Sequence, residues 1–235
     1  MLDFTNKTTL VTGASGNLGE ATARAFLTAG ATVIAVARKL DSFSDHFKTL
    51  DNLILAPADL TNEESVNQMA EEVLGQVGRI DILVNVAGGF TMGPRVHQTE
   101  TKSWEFMLDL NAKSILLTAH AFIPTMLENG GGKIVNVASK SGRHGVAKQT
   151  AYSVSKAAVI SLTEVLAADY KAKGINAHCI LPATIDTPQN REAMPKANFD
   201  KWVHPDKLAS VILFLASDGA DAIHGAAVPV YGLGG

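Results

Sequence analysis

Seven short apolar runs, each parted from the next by a longer stretch of polar or helix-forming residues, constrain this chain more than any other feature. They occupy residues 8–12, 31–37, 53–57, 81–86, 131–138, 175–181 and 226–230. Runs of that length, rich in β-branched residues, read as strands. The run 81–86 is almost continuously apolar, the pattern of a strand covered on both faces. Residues 18–29, about 103–128 and 151–173 carry helical patterns, the second interrupted near Pro124. Strands alternating with helices build an α/β domain, a doubly wound parallel sheet with helices on both faces. No linker, low-complexity tract or internal repeat divides the chain, so residues 1–235 are expected to form one domain.

Open sheets of this kind bind ligands at the carboxyl ends of their strands. Gly13, Gly88, Ser139 and Pro182 all fall at such ends. The first strand leads into Thr12-Gly13-Ala14-Ser15-Gly16-Asn17-Leu18-Gly19, between a strand and a helix. Glycines there turn the chain tightly and bring a diphosphate close to the N–H groups of a helix N-terminus. After the second strand, Ala37-Arg38-Lys39 offers two cations where an acid would bind ribose hydroxyls and repel a 2′-phosphate, so NADP(H) is favoured and NAD(H) is possible. Beyond the third strand stand Asp59 and Leu60. The Asp59 carboxylate is placed to accept from an adenine amino group or to cap its own turn, and Thr61-x-x-Glu64 predicts a capping box for the next helix. Asn85-Val86-Ala87-Gly88 closes the fourth strand and lets backbone approach a ligand.

Tyr152 and Lys156 are four apart, one turn above each other on one helix face. A fixed ammonium favours phenolate and should pull the tyrosine pKa below its usual value of about 10, readying it to exchange a proton with a carbonyl or alcohol. Ser139, at the end of the fifth strand, would hold the substrate oxygen while a cofactor delivers hydride. Asn111 lies inside the helical pattern, where asparagine is mildly unfavourable, so it marks either a surface position or a specific polar role.

Composition narrows the rest. Lys and Arg number 20 against 23 Asp and Glu, which gives no reason to expect nucleic acid or an anionic membrane. The single cysteine, Cys179, sits in an apolar run and reads as a buried, inert thiol. The seven histidines show no ligand spacing, so no metal site is expected. The beginning of the sequence lacks a signal-peptide pattern and no apolar run reaches membrane-spanning length; a cytoplasmic location is the expectation.

Together, Thr12-Gly13…Gly19, Asp59, Asn85-Val86-Ala87-Gly88, Asn111, Ser139, Tyr152-x-x-x-Lys156 and Pro182…Thr187 resemble the short-chain dehydrogenase/reductase superfamily over essentially the whole chain. The resemblance implies a Rossmann-type sheet of about seven strands in the order 3-2-1-4-5-6-7. It implies Asn111, Ser139, Tyr152 and Lys156 as the catalytic set: Tyr152 as general acid and base, Lys156 on the nicotinamide ribose, Ser139 on the carbonyl and Asn111 on a water in a proton relay. It also implies that Ile185 and Thr187 contact the nicotinamide carboxamide, and that the two long helices pair across two-fold axes, through Ala112, Ser114, Ala157 and Ser161, into a homotetramer or a dimer. Three departures stand out: the turn reads G-x-x-G-x-x-G where G-x-x-x-G-x-G is commonest, Asn85-Val86 replaces Asn-Asn, and Pro182-Ala183 replaces Pro-Gly. The segment 181–202 and Val86-Ala87-Gly88-Gly89-Phe90 are further similar to quinonoid dihydropteridine reductase-like members, although Ser139 and Ala37 depart from that pattern. The expected activity is hydride transfer between NADP(H) and a small carbonyl or alcohol; reduction of a pteridine or quinonoid ring and a non-catalytic nucleotide-binding regulator are the alternatives. Phe90, Met92, His144, Gln149, Met194 and Trp202 are candidate pocket walls.

Overall fold

In the computed structural model, which describes residues 2–234, the seven predicted strands are β1 (Thr8–Thr12), β2 (Thr32–Ala37), β3 (Leu53–Pro57), β4 (Ile82–Asn85), β5 (Gly132–Val137), β6 (Ile175–Pro182) and β7 (Ala227–Val230). They form one parallel sheet in the order β3-β2-β1-β4-β5-β6-β7, as expected. The pleat sends successive residues to opposite faces, and two cores result. Val11, Val33, Val84 and Val135 pack on one face with α1 (Asn17–Thr28), while Leu10, Ile34, Leu83 and Ile134 pack on the other with α3 (Glu63–Val77). A short α2 (Asp45–Lys48) lies between β2 and β3 and adds Phe47 to the first core.

The expected helix 103–128 is three pieces. α4 (Thr101–Leu108) runs into a π-helical turn, Asp109–Lys113, and continues as α5 (Ser114–Glu128). Pro124 does not interrupt it; α5 runs through that residue to Glu128. The break lies earlier, at Asn111, where the wider turn places a buried side chain toward the sheet ends. The capping box also differs: α3 is capped by Asn62, whose Oδ1 accepts from the Ser65 N–H at 2.9 Å, because Thr61 is held in the preceding turn by Asp59.

Beyond β5 come α6 (Lys140–Arg143) and α7 (Thr150–Tyr170), and beyond β6 come α8 (Pro188–Ala193) and α9 (Pro205–Leu215). By length and apolarity alone, the helical stretch Thr150–Lys173 could cross a membrane. In the fold it is a core helix, sinking Val159, Leu166 and Ala167 against the sheet. α9 starts on Pro205 and Asp206 and carries an apolar run after Ser210, all helix signals. Its Leu208, Ile212 and Leu215 complete the core over α1.

Candidate active site

Two loops meet at the end of β1. Gly13 has φ +64°, and a Cβ there would lie 2.8 Å from the Cα of Ala87, so glycine alone permits the contact. The Ala87 N–H donates to Thr12 Oγ1 at 3.1 Å and fixes the same junction. A Cβ on Gly19 would overlap the Gly13 carbonyl, which explains the third glycine: α1 packs directly on the turn. Gly16 caps α1 without a side-chain bond, leaving the first-turn N–H groups for an anion. Ser15 and Asn17 are at least partly accessible, whereas the Leu18 side chain is in the core, leaving its backbone to face a ligand.

Arg38 is exposed just after β2. Asp59 Oδ1 accepts from the Thr61 hydroxyl at 2.7 Å and the Thr61 N–H at 3.0 Å. Those bonds, helped by the Arg38 charge, hold its carboxyl below the usual range. Asp59 therefore closes its own turn, one of the two roles its position allowed. Leu60 is buried in the core under α3. Asn85 is 2% exposed, and both its amide atoms serve the interior: Oδ1 accepts from Thr118 Oγ1 at 2.9 Å and Nδ2 donates to Asn136 Oδ1 at 2.8 Å. Asn136 in turn donates to Thr163 at 2.9 Å. This chain of buried side chains binds β4, β5, α5 and α7 together, and leaves Asn85 only its backbone for a ligand. The sequence reading missed Asn136, Thr118 and Thr163; the asparagines at matching positions of two apolar strands were the available signal.

Two of the four candidate catalytic residues, Asn111 and Lys156, meet beside Gly88, and the other two, Ser139 and Tyr152, meet each other. A Cβ on that glycine would lie 2.6 Å from Asn111 Oδ1 and 3.1 Å from Lys156 Nζ. Asn111 is wholly buried. Its Oδ1 accepts from the Gly89 N–H at 2.9 Å, and its Nδ2 donates to the Gly89 carbonyl at 3.1 Å and to Ser155 Oγ at 2.9 Å. Ser155 donates onward to the Tyr152 carbonyl at 2.8 Å, so one hydrogen-bonded line joins the Gly89 turn to the first turns of α7. Ser155 escaped the sequence reading, since a serine mid-helix carries no signal by itself.

Ser139 follows β5 and caps α6, accepting from the Ser141 N–H at 3.2 Å, and its hydroxyl also lies in hydrogen-bond reach of the Tyr152 phenol. A Cβ on Gly142 would lie 2.6 Å from the Lys156 carbonyl carbon, so that glycine lets the serine loop close on α7. Lys156 is 5% exposed and donates from Nζ to the Val137 carbonyl at 2.7 Å. Burial pushes its pKa down to about 8. Tyr152 is largely buried, edge-on to Phe90 with ring centroids 4.9 Å apart. Burial raises its pKa, and the nearby Ser139 hydroxyl pulls it the other way. The expected lowering of the phenol by Lys156 is thus not what this geometry gives: burial sets the direction, and the ammonium donates to the Val137 carbonyl.

At the far end of the sheet, Pro182 closes β6, Ile185 bridges to Val203, and Thr187 Oγ1 caps α8 by accepting from the Asn190 N–H at 3.2 Å. The expected pocket walls divide. Phe90, Met92 and Met194 are exposed at 60%, 63% and 41%, and His144 is exposed as well. Gln149 is half-buried, and Trp202 packs on Phe199 with centroids 4.8 Å apart. A cavity of about 230 Å³ opens behind Met92, between Gly93, Glu100 and Ala151.

The sequence profile of the short chain dehydrogenase family matches residues 7–198. The 3-oxoacyl-[acyl-carrier-protein] reductase FabG of Thermotoga maritima is 32% identical over 241 residues, covering 96% of each chain. The (2S)-[(R)-hydroxy(phenyl)methyl]succinyl-CoA dehydrogenase subunit BbsD of Thauera aromatica is 34% identical, covering 97% of this chain and 96% of its own. The crystal structure of gox2181 superposes with a TM-score of 0.91 at 32% identity, covering 97% of this chain and 95% of that one.

Proposed function

This chain belongs to the short chain dehydrogenase family and is an NAD(P)-dependent oxidoreductase acting on CH–OH or C=O groups, and we propose that it moves hydride between NADP(H) and a small carbonyl or alcohol compound, with Tyr152 as general acid and base. The observation that carries this reading is the meeting of Asn111 and Lys156 beside Gly88, with the Ser139 hydroxyl against Tyr152 one helix turn from Lys156.

The glycine cradle suits a dinucleotide: Gly13 and Gly19 leave no room for side chains, and the uncapped first turn of α1 presents N–H groups to a diphosphate. Gly88 backbone, Pro182, Ile185 and Thr187 would flank the nicotinamide half, and Arg38 and Lys39 a 2′-phosphate. When bound, the cofactor supplies or accepts the hydride. The protein's residues manage the oxygen. Ser139, whose hydroxyl lies in hydrogen-bond reach of Tyr152, would turn its hydrogen to the substrate oxygen, and Tyr152, kept protonated by burial, would release its proton to that oxygen. An ammonium has three N–H donors and Val137 takes one, so Lys156 retains donors for a ribose hydroxyl and for the phenolate that the reduction leaves on Tyr152. The Asn111 side chain holds the Gly89 turn, leaving its backbone for the water of a proton relay. Apolar Phe90 and Met92 at the mouth suit a substrate with a flat or apolar body.

Self-association to a tetramer belongs to the same proposal. Phe106 on α4, Leu116 on α5, and Val154 and Val165 on α7 are all exposed, from 41% to 56%. Ser114, expected at that surface, is instead buried at 2%.

A screen of carbonyl and pterin compounds, following NADPH absorbance with NADH in parallel, tests the activity. Reduction of carbonyls supports the proposal. Turnover of pterins alone would favour a ring reductase, and no turnover of any compound despite dinucleotide binding would favour a regulator.

A further inference from the structure

One side-chain bond joins segments 172 residues apart in sequence: Asn17 Nδ2 donates to Gln189 Oε1 at 2.9 Å. Asn17 opens α1 inside the glycine turn, and Gln189 lies on α8. The commonest family turn, G-x-x-x-G-x-G, sets a glycine at position 17, which could make no such bond.

α8 is braced from its other side. Asn190 Nδ2 donates to the Ile185 carbonyl at 2.8 Å, Arg191 makes two bonds to Asp186 at 2.6 and 2.8 Å, and its guanidinium lies 4.7 Å from the Phe199 ring centroid. Residues 185–199 therefore make a locally tied unit, and Gln189 is the side chain that ties it to the glycine turn.

We propose that Asn17 and Gln189 are positioning residues, a clasp that holds α8 against the glycine turn and governs how fast the dinucleotide enters and leaves. This rests on the dinucleotide reading above. A diphosphate seated on the turn would lie beside Asn17, and the nicotinamide half would pass by Thr187 at the start of α8. Release would then require the clasp to open. The trade is intelligible: the turn loses one close backbone approach at position 17 and gains a tether to the segment that covers the other half of the cofactor.

The test compares wild type with Asn17→Ala, Gln189→Met and the double variant. Stopped-flow nicotinamide fluorescence gives the NADPH dissociation rate, and hydrogen exchange over residues 186–194 is read in the cofactor-free protein. An exposed neutral hydrogen bond predicts dissociation about 2- to 12-fold faster in each single variant, with the double variant no faster than either. Exchange at α8 should rise in all three. In Gln189→Glu, which keeps the acceptor, exchange should stay near wild type while the added charge beside the diphosphate weakens NADPH binding. Wild-type dissociation rates in the single variants, additive effects in the double variant, or unchanged exchange at α8 would each overturn the clasp while the dinucleotide reading stands. A wild-type chain that binds neither NADPH nor NADH removes that reading and the clasp with it.

Discussion

Lys156 donates to the Val137 carbonyl at 2.7 Å, tying the helix that carries Tyr152 to the strand that delivers Ser139. The bond sits in a site where burial brings the ammonium down from 10.5 to about 8. Between those values the unfolded chain holds a proton that the folded chain has released, so stability rises with pH across that window and is flat below it. Tyr152, raised by burial, acts in the opposite sense only above pH 10. Relative to Lys156→Met, the cofactor-free protein should gain about 2 kcal/mol between pH 8 and 9.5. Urea midpoints at several pH values measure it, and parallel curves for the two proteins would contradict it.

Arg38 should set cofactor choice. It stands exposed after β2, and nothing acidic follows that strand before Asp41. A charge-assisted bond to a 2′-phosphate is worth about 1.5 to 3 kcal/mol, so Arg38→Ala should weaken NADPH by about 10- to 150-fold and leave NADH nearly unchanged. Titration calorimetry with both cofactors checks this; equal wild-type affinities would rule it out.

Phe90 packs on Tyr152 with ring planes at 80° yet is itself 60% exposed. An aromatic pair of this kind contributes about 0.5 to 1.5 kcal/mol. Phe90→Ala should raise KM by about 2- to 12-fold and reduce kcat less, because it removes a wall without touching the proton donor. A kcat loss as large as that of a Tyr152 variant would mean that Phe90 has another role.

Light scattering at micromolar concentration should give a four-chain mass. Leu116→Asp with Val165→Asp places charges on the exposed apolar faces of α5 and α7 and should lower it, since a buried unpaired charge costs several kcal/mol. A wild-type monomer would refute the assembly.

Most of the architecture was legible because it rests on local pattern: apolar strand runs, glycines and alternation with helices are all contiguous in the sequence. The strand ends were legible for the same reason, and with them Gly13, Gly88 and Ser139. What escaped depends on partners far away. The choice of Asn62 over Thr61 as a cap follows from Asp59 taking Thr61. The π turn at Asn111 accompanies a buried amide that meets Gly89 and Ser155, neither of which marks itself. The phenol's acidity follows from its burial and the Ser139 hydroxyl beside it, which spacing by four from Lys156 does not determine.

Turnover and cofactor affinity of Tyr152→Phe together test the mechanism most directly. The substitution removes one hydroxyl and keeps the ring that packs against Phe90. If Tyr152 gives the proton, turnover on a carbonyl that the wild type reduces should fall at least 10²- to 10⁴-fold, while NADPH affinity stays within a few-fold. Turnover within a few-fold of wild type would contradict the proposed mechanism and leave the tyrosine a packing residue of α7.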